Sequence, residues 1–330
     1  MLLSRRRFIT LAAAAAGVPL VARLIQARPR PVRWQGTALG APASIQLYAT
    51  DEVQARSALR AACAELVRLE AVLSLYRPDS ALAILNRDGR LEDAPPDLIA
   101  VVDRALALAR ISDGVYDPTV QPVWQLYYRH FMAECPDPAG PLAEALAEAL
   151  ARVDWRAVEL DPTARRIAFA RPGMGLTLNG GAQGYITDRV TEVLRAQGFE
   201  RMLVDMGEPR ALSAKPDGTG WRIGIANPAD PTRSVVTLDV VDQCVATSGG
   251  YGTLFDPAGV FTHLIDPRTG RTAPALLGVS VVADTASQAD GLATAMLLAA
   301  PERRQAILRD AGGRQALYVT PNGVVATIHA

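Results

Sequence analysis

Lysine is all but missing: Lys215 is the only one in 330 residues, which excludes chemistry on a lysine amine and leaves the positive charge to arginine. Histidine is nearly as scarce. Any imidazole base has to be His130, His263 or His329. Cys63, Cys135 and Cys244 lie far apart with no C-x-x-C spacing, which argues against a zinc knuckle or disulfide framework and for small buried hydrophobes. Net charge is absent too: 34 basic residues balance 34 acidic ones, leaving no broad field to draw nucleic acid or an acidic membrane surface. Nucleic acid is therefore not an expected partner. There is no G-x-G-x-x-G, no P-loop and no internal repeat, so a nucleotide has to be held by other means.

What is present starts with apolar content, 49% of the chain, enough for a substantial core. At the N-terminus Ser4-Arg5-Arg6-Arg7-Phe8-Ile9 precedes an apolar stretch from Leu11 to Val21 that Arg23 interrupts. That run falls short of the roughly 20 residues a membrane-spanning helix needs. Its order resembles the twin-arginine signal that exports folded proteins across the bacterial inner membrane. The expectation is a signal segment over residues 1–30, a folded domain over 31–330 and a periplasmic location. An uncleaved basic membrane anchor is the competing reading, because no clean A-x-A site follows.

Beyond a Pro- and Arg-rich joint at Arg28 to Arg33, Ala43 to Ala49 alternates as a strand and Asp51 to Leu73 carries a helical apolar period. Further helices are expected at Pro96 to Ile111, from Gly140 to Val153, and over Gln183 to Gln197, Ala286 to Leu298 and Glu302 to Asp310. Short strands are expected between them, including Leu176 to Leu178, Met202 to Val204, Arg222 to Ala226, Val235 to Val240, Thr262 to Ile265 and Val279 to Val282. Gln315 to Val319 and Val324 to Ile328 close the series as a strand pair. This predicts an α+β fold, a single domain of mixed sheets with flanking helices and no Rossmann or P-loop unit.

Three segments carry residues suited to chemistry. Thr247-Ser248-Gly249 is followed by His263 just ahead of the turn Asp266-Pro267-Arg268-Thr269-Gly270, where a rigid scaffold presents a working side chain. A histidine there is a base able to take a hydroxyl proton, or a packed structural residue. In Ala289-Asp290-Gly291-Leu292-Ala293-Thr294 the aspartate and threonine are spaced i, i+4, so both oxygens lie on one helical face and can reach a hard cation. Asp290 favouring a helix dipole is the plainer alternative. Leu178-Asn179-Gly180-Gly181 leads into a helix, where amides can face a phosphate and turn carbonyls a cation, unless the glycines serve only the turn. Tyr76 and Tyr116 each sit beside a polar turn, placed to sandwich an aromatic ligand or to pack down their own loops.

Taken in order, these segments resemble the FAD:protein FMN transferases, the ApbE family, from about Gly36 to the C-terminus; T-S-G, then H-x-I-D-P-x-T-G, then A-D-x-x-x-T is the most specific part. The resemblance implies FAD as substrate, Mg2+ as cofactor, and transfer of FMN to a Thr or Ser hydroxyl of a partner flavoprotein with release of AMP. By position it assigns His263 as base and Gly180, Asp290 and Thr294 as metal ligands. Leu39, Tyr76, Val115, Tyr116, Asp117, Thr177, Gln183 and Ile265 fall at FAD contacts. Three positions depart from the family pattern. Family members commonly carry Asp where Thr177 stands and Lys or Glu where Gln183 stands, and their usual Gly-Gly is Gly207-Glu208 here. With the export signal, these variants resemble the branch accompanying nitrous oxide respiration, which implies a membrane-bound acceptor facing the periplasm. The same site with water in place of the acceptor gives an FAD pyrophosphatase, and without turnover an FAD-binding protein.

Overall fold

A computed structural model describes residues 28–274, 277–320, 322–323 and 325–330. The export motif at Ser4 to Ile9 lies outside the described residues. The described chain opens with a hairpin of β1 (Arg30–Ala38) and β2 (Ala41–Ala49), which pair antiparallel along their whole length. Its two-residue turn, Leu39 at φ 48° and Gly40 at φ 85°, has the left-handed backbone that matches strand twist. Leu39 accepts that backbone without glycine's freedom, and its amide donates to Glu70 Oε1 at 2.8 Å.

From β2 an antiparallel sheet runs through β6 (Met202–Asp205), β7 (Pro209–Leu212), β10 (Gln243–Gly249), β11 (Gly278–Ala283), β12 (Gly313–Val319) and β13 (Val325–His329). Side chains alternate between its faces. Cys244, Ala246, Val279, Val281, Ala316 and Tyr318 join the main core under the helices, while Val245, Val282, Leu317 and Val319 join a second core. That second core is closed by the separate hairpin of β8 (Trp221–Asn227) and β9 (Asp230–Val240), through Trp221, Ile225 and Val240. A small sheet of β3 (Arg90–Leu91), β5 (Arg166–Phe169) and β4 (Val158–Asp161) lies apart. The expected mixture of sheets and flanking helices is what is observed.

Among the helices are α1 (Glu52–Leu73), α2 (Ala81–Asp88), α3 (Pro96–Ile111), α4 (Gln121–Phe131), α5 (Ala143–Leu150), α6 (Ala182–Ala196), α7 (Ala286–Leu298) and α8 (Pro301–Asp310). No helix among the described residues is long and apolar enough to cross a membrane. Two of them hold each other's beginnings. Asp188 of α6 accepts from the amides of Ala286 and Ser287 at 3.0 and 2.9 Å and pairs with Arg210 at 2.6 Å. Asp290 of α7 accepts from the Gly184 amide of α6 at 2.9 Å. Each carboxylate satisfies a donor at the other helix's start, where helices leave amides unpaired. The approach is close enough that a Cβ on Gly184 would lie 2.3 Å from the Ala286 carbonyl oxygen. Gly184→Ala is therefore expected to pry the two helices apart and lower stability by about 1–3 kcal/mol, read as a fall in thermal midpoint. An unchanged midpoint would contradict this contact.

Several segments depart from expectation. Leu176 to Leu178 joins no ladder. Asn86 donates to the Leu176 carbonyl at 2.8 Å and accepts from its amide at 2.7 Å, and the Thr177 amide donates to the Pro118 carbonyl at 2.8 Å. Thr262 to Ile265 forms only isolated bridges, Leu254 with Thr262 and Ile265 with Thr272. The joint expected at Arg28 to Arg33 is largely strand β1.

Candidate active site

His263 stands half-buried on the loop after β10, and one carbonyl fixes it twice. Its backbone N–H donates to the Thr253 oxygen at 3.1 Å, and its ring Nδ1 meets the same oxygen at 3.1 Å. A carbonyl only accepts, so Nδ1 carries the proton and the Nε2 lone pair is left free. Burial holds the imidazole pKa below its ordinary value, partly offset by that bond to Thr253, so the neutral base persists into mildly acid solution. Asp256 keeps the loop in shape by accepting from the Phe261 amide at 2.6 Å and the Val260 amide at 3.2 Å. Beneath it, Phe255 and Phe261 pack on Tyr127 of α4 at centroid distances of 5.7 and 5.6 Å.

Across the cavity from this loop's elements, the starts of α6 and α7 gather oxygens. Asp290 is buried, which pushes its pKa up to about 7 against the pull of the Gly184 amide, with Asp188 adding to the rise. The Thr294 hydroxyl, one turn on, lies 2.9 Å from the Ser248 hydroxyl of β10. The Gly180 carbonyl accepts from the Tyr116 hydroxyl at 3.0 Å and faces α7 at Gly291, where a Cβ would stand 3.4 Å from it. Glu208, in the turn between β6 and β7, is buried as well; burial first and Asp290 second push its carboxyl well above the usual range. Among the described residues neither Asp290 nor Glu208 has an ion-pair partner.

A divalent cation suits these groups. The buried Asp290 carboxylate, which lacks a counter-charge, the Thr294 hydroxyl and the Gly180 main-chain carbonyl are hard oxygen donors of the kind magnesium takes. No cluster of three or more His, Cys, Asp or Glu side chains occurs among the described residues, so a cation here depends on the neutral oxygens of Gly180 and Thr294 as well.

The two halves face one cavity of about 510 Å3. Every residue singled out from the sequence lines it: His263, Gly180, Asp290, Thr294, Leu39, Tyr76, Val115, Tyr116, Asp117, Thr177, Gln183 and Ile265. Their local roles differ. Asp117 has both carboxylate oxygens engaged, one by the Thr119 amide and hydroxyl at 2.8 and 2.6 Å and the other by the Trp155 amide at 3.0 Å, so it organises its loop. Tyr76 is 68% exposed and leaves a flat ring at the mouth, ready to stack on a planar ligand. Sequence reasoning missed Trp124 and the wall formed by Gly224 and Ala226. Those last two alternate with the packed Trp221, Ile223 and Ile225 on β8, a period-2 signal that only the position of the hairpin turns into a site.

The ApbE family model matches residues 39–318. The chain belongs to the ApbE family. It is an enzyme, as its relatives in that family are. One of them, the FAD:protein FMN transferase of Treponema pallidum, is 31% identical over 318 residues, covering 90% of this chain and 86% of that protein. Another of the same name, from Klebsiella pneumoniae, is 27% identical over 285 residues, with coverages of 84% and 81%. Among solved structures, the flavinyl transferase ApbE of Pseudomonas stutzeri in its apo form superposes with a TM-score of 0.77 at 26% identity, covering 92% of this chain and 95% of that one. The flavin transferase ApbE of Vibrio cholerae gives 0.76 at 25% identity, with 92% and 97% covered. The antiparallel sheet, the β8–β9 hairpin and the paired helix starts described above are thus this chain's version of the ApbE fold.

Proposed function

We propose that the chain transfers FMN from FAD to a threonine or serine hydroxyl of an acceptor flavoprotein, releasing AMP. One observation carries this reading: a single cavity holds both an imidazole with a free Nε2 and a set of uncompensated oxygen donors. Attack of a hydroxyl on a pyrophosphate needs both, a base for the proton and positive charge for the phosphates. The names of the curated relatives supply the substrates.

In this reading the acceptor oxygen bonds to the phosphorus on the flavin side, and the bond from that phosphorus to the bridging oxygen breaks. AMP leaves with the electron pair. The hydroxyl proton passes to Nε2 of His263, and the imidazolium is stabilised by the Thr253 carbonyl at Nδ1. Gly180, Asp290 and Thr294 would hold magnesium, which would supply positive charge against the pyrophosphate and the departing AMP. The chain's remaining residues orient these groups: Tyr116 aims the Gly180 carbonyl, Ser248 sets the Thr294 hydroxyl, and the Gly184 amide fixes Asp290. Leu39, Val115 and Ile265 provide apolar wall for the rings, with Tyr76 over the mouth. Incubation with FAD, magnesium and a candidate acceptor domain tests the proposal. Acceptor mass rising by one FMN, matched by AMP, is the expected result. AMP with free FMN marks a pyrophosphatase, and intact bound FAD marks a binding protein.

The proposal extends to location. The Ser4-Arg5-Arg6-x-Phe8-Ile9 order supports export by the twin-arginine route, and together with the branch resemblance carried by Gln183 and Glu208 it supports an acceptor that is membrane-bound and faces the periplasm. Changing both Arg5 and Arg6 to lysine is expected to trap the precursor inside the cell, seen by fractionation. Undiminished export of the doubly altered precursor would show that the pair is not read.

A further inference from the structure

Glu208 has no part in the chemistry described so far, and its setting is unusual. The side chain is 92% buried, being 8% exposed, yet it lines the cavity. Its Oε2 accepts from the Thr247 amide of β10 at 3.1 Å, while its second oxygen has no partner among the described residues. That oxygen is reached from the cavity and is open to accept from a donor on a bound ligand. The neighbour that shares its corner is Gln183. A Cβ on Gly207 would lie 2.5 Å from Gln183 Nε2, so the amide of Gln183 lies directly over the backbone that precedes Glu208. The Gln183 amide likewise has no hydrogen-bond partner among the described residues.

We infer that Glu208 and Gln183 together read the hydrogen-bonding edge of a ring of FAD, Glu208 accepting from a ring-edge N–H and Gln183 donating to the acceptor beside it. The inference rests on FAD being the substrate. A carboxylate next to an amide offers an acceptor and a donor side by side. Adenine's amino edge and flavin's imide edge both present the complement, an N–H next to a ring acceptor. The approach of Gln183 to Gly207 places the amide and the carboxylate in one corner of the cavity.

The test is Glu208→Gln, which keeps an oxygen for the Thr247 amide and turns the open acceptor into a donor. Calorimetry on the full chain with FAD, AMP and FMN separately, and with Mg2+ alone, gives the readout. FAD binding is expected to weaken about 10- to 100-fold with the thermal midpoint kept. A parallel loss for AMP assigns the contact to adenine, and a parallel loss for FMN to the flavin. The double variant Gln183→Glu/Glu208→Gln returns a carboxylate to the corner and is expected to recover most of the FAD affinity. Unchanged FAD affinity in Glu208→Gln overturns the inference while leaving the transferase reading intact. Loss of Mg2+ binding alone, a fallen midpoint, or no recovery in the double variant overturns it too. A wild-type chain that binds no FAD overturns the transferase reading itself, and the inference with it.

Discussion

Asp290→Ala is expected to reduce FMN transfer by about 10³-fold or more, since it removes the one buried carboxylate that α7 offers to a cation. Single-turnover assays across a magnesium titration measure this, and the variant's residual rate should no longer respond to the metal. Asp290→Asn separates charge from structure, because an amide oxygen can still accept from Gly184. It should lose transfer as fully as alanine while keeping the junction of α6 and α7. Stability should move the other way. Burial raises the pKa of Asp290 from 3.8 to about 7, so in metal-free protein its ionisation weakens the fold as pH rises through that window. Without magnesium, Asp290→Asn is expected to melt higher than wild type above pH 7 and alike below pH 4. Full wild-type activity in excess chelator would remove the cation from the mechanism.

His263→Ala is expected to bind FAD and magnesium normally and to transfer FMN about 10²- to 10⁴-fold more slowly, the usual contribution of a positioned base. No other imidazole replaces it: neither His130 nor His329 lines the cavity. The pH profile gives a second test. The neutral ring is the working form, so the wild-type rate should fall as pH drops through the pKa of His263. Burial places that limb below the ordinary value of about 6.5. In the variant the limb should vanish. A folded, FAD-bound variant that transfers at near-normal rate would exclude His263 as the base, whereas joint loss of folding and FAD binding would make it structural.

The residues most legible in the sequence were those whose chemistry is local. Asp290 and Thr294 share a helix face by arithmetic, and a helix over Ala286–Leu298 is what the structure contains. The α3 helix over Pro96–Ile111 was equally plain, opened by proline and closed before Asp113-Gly114. Illegible were the pieces whose partners lie far away in the chain. Leu176 to Leu178 reads as a strand because it alternates, yet its polar backbone is met by Asn86, 90 positions earlier, and by the carbonyl of Pro118. β1 hides behind arginines and prolines because its outer face is exposed and only its register with β2 makes it a strand. Helix α4 carries aromatic residues at positions that make sense only when Phe255 and Phe261 close over them. Glu208 was visible as a departure from a glycine, but its burial against Thr247 was not.

With a cation at Asp290 as proposed, the crossed carboxylates of α6 and α7 would couple its binding to folding. Asp290 supports the start of α6 with one oxygen while lining the cavity, and Asp188 supports the start of α7 in return. An ion that binds only when the two helices are docked adds its binding free energy to that docking, by about 1.4 kcal/mol for each tenfold excess over its dissociation constant. In the proposed reading, loading the site would thereby also hold the two helices together, and an unloaded chain would be the more easily opened one.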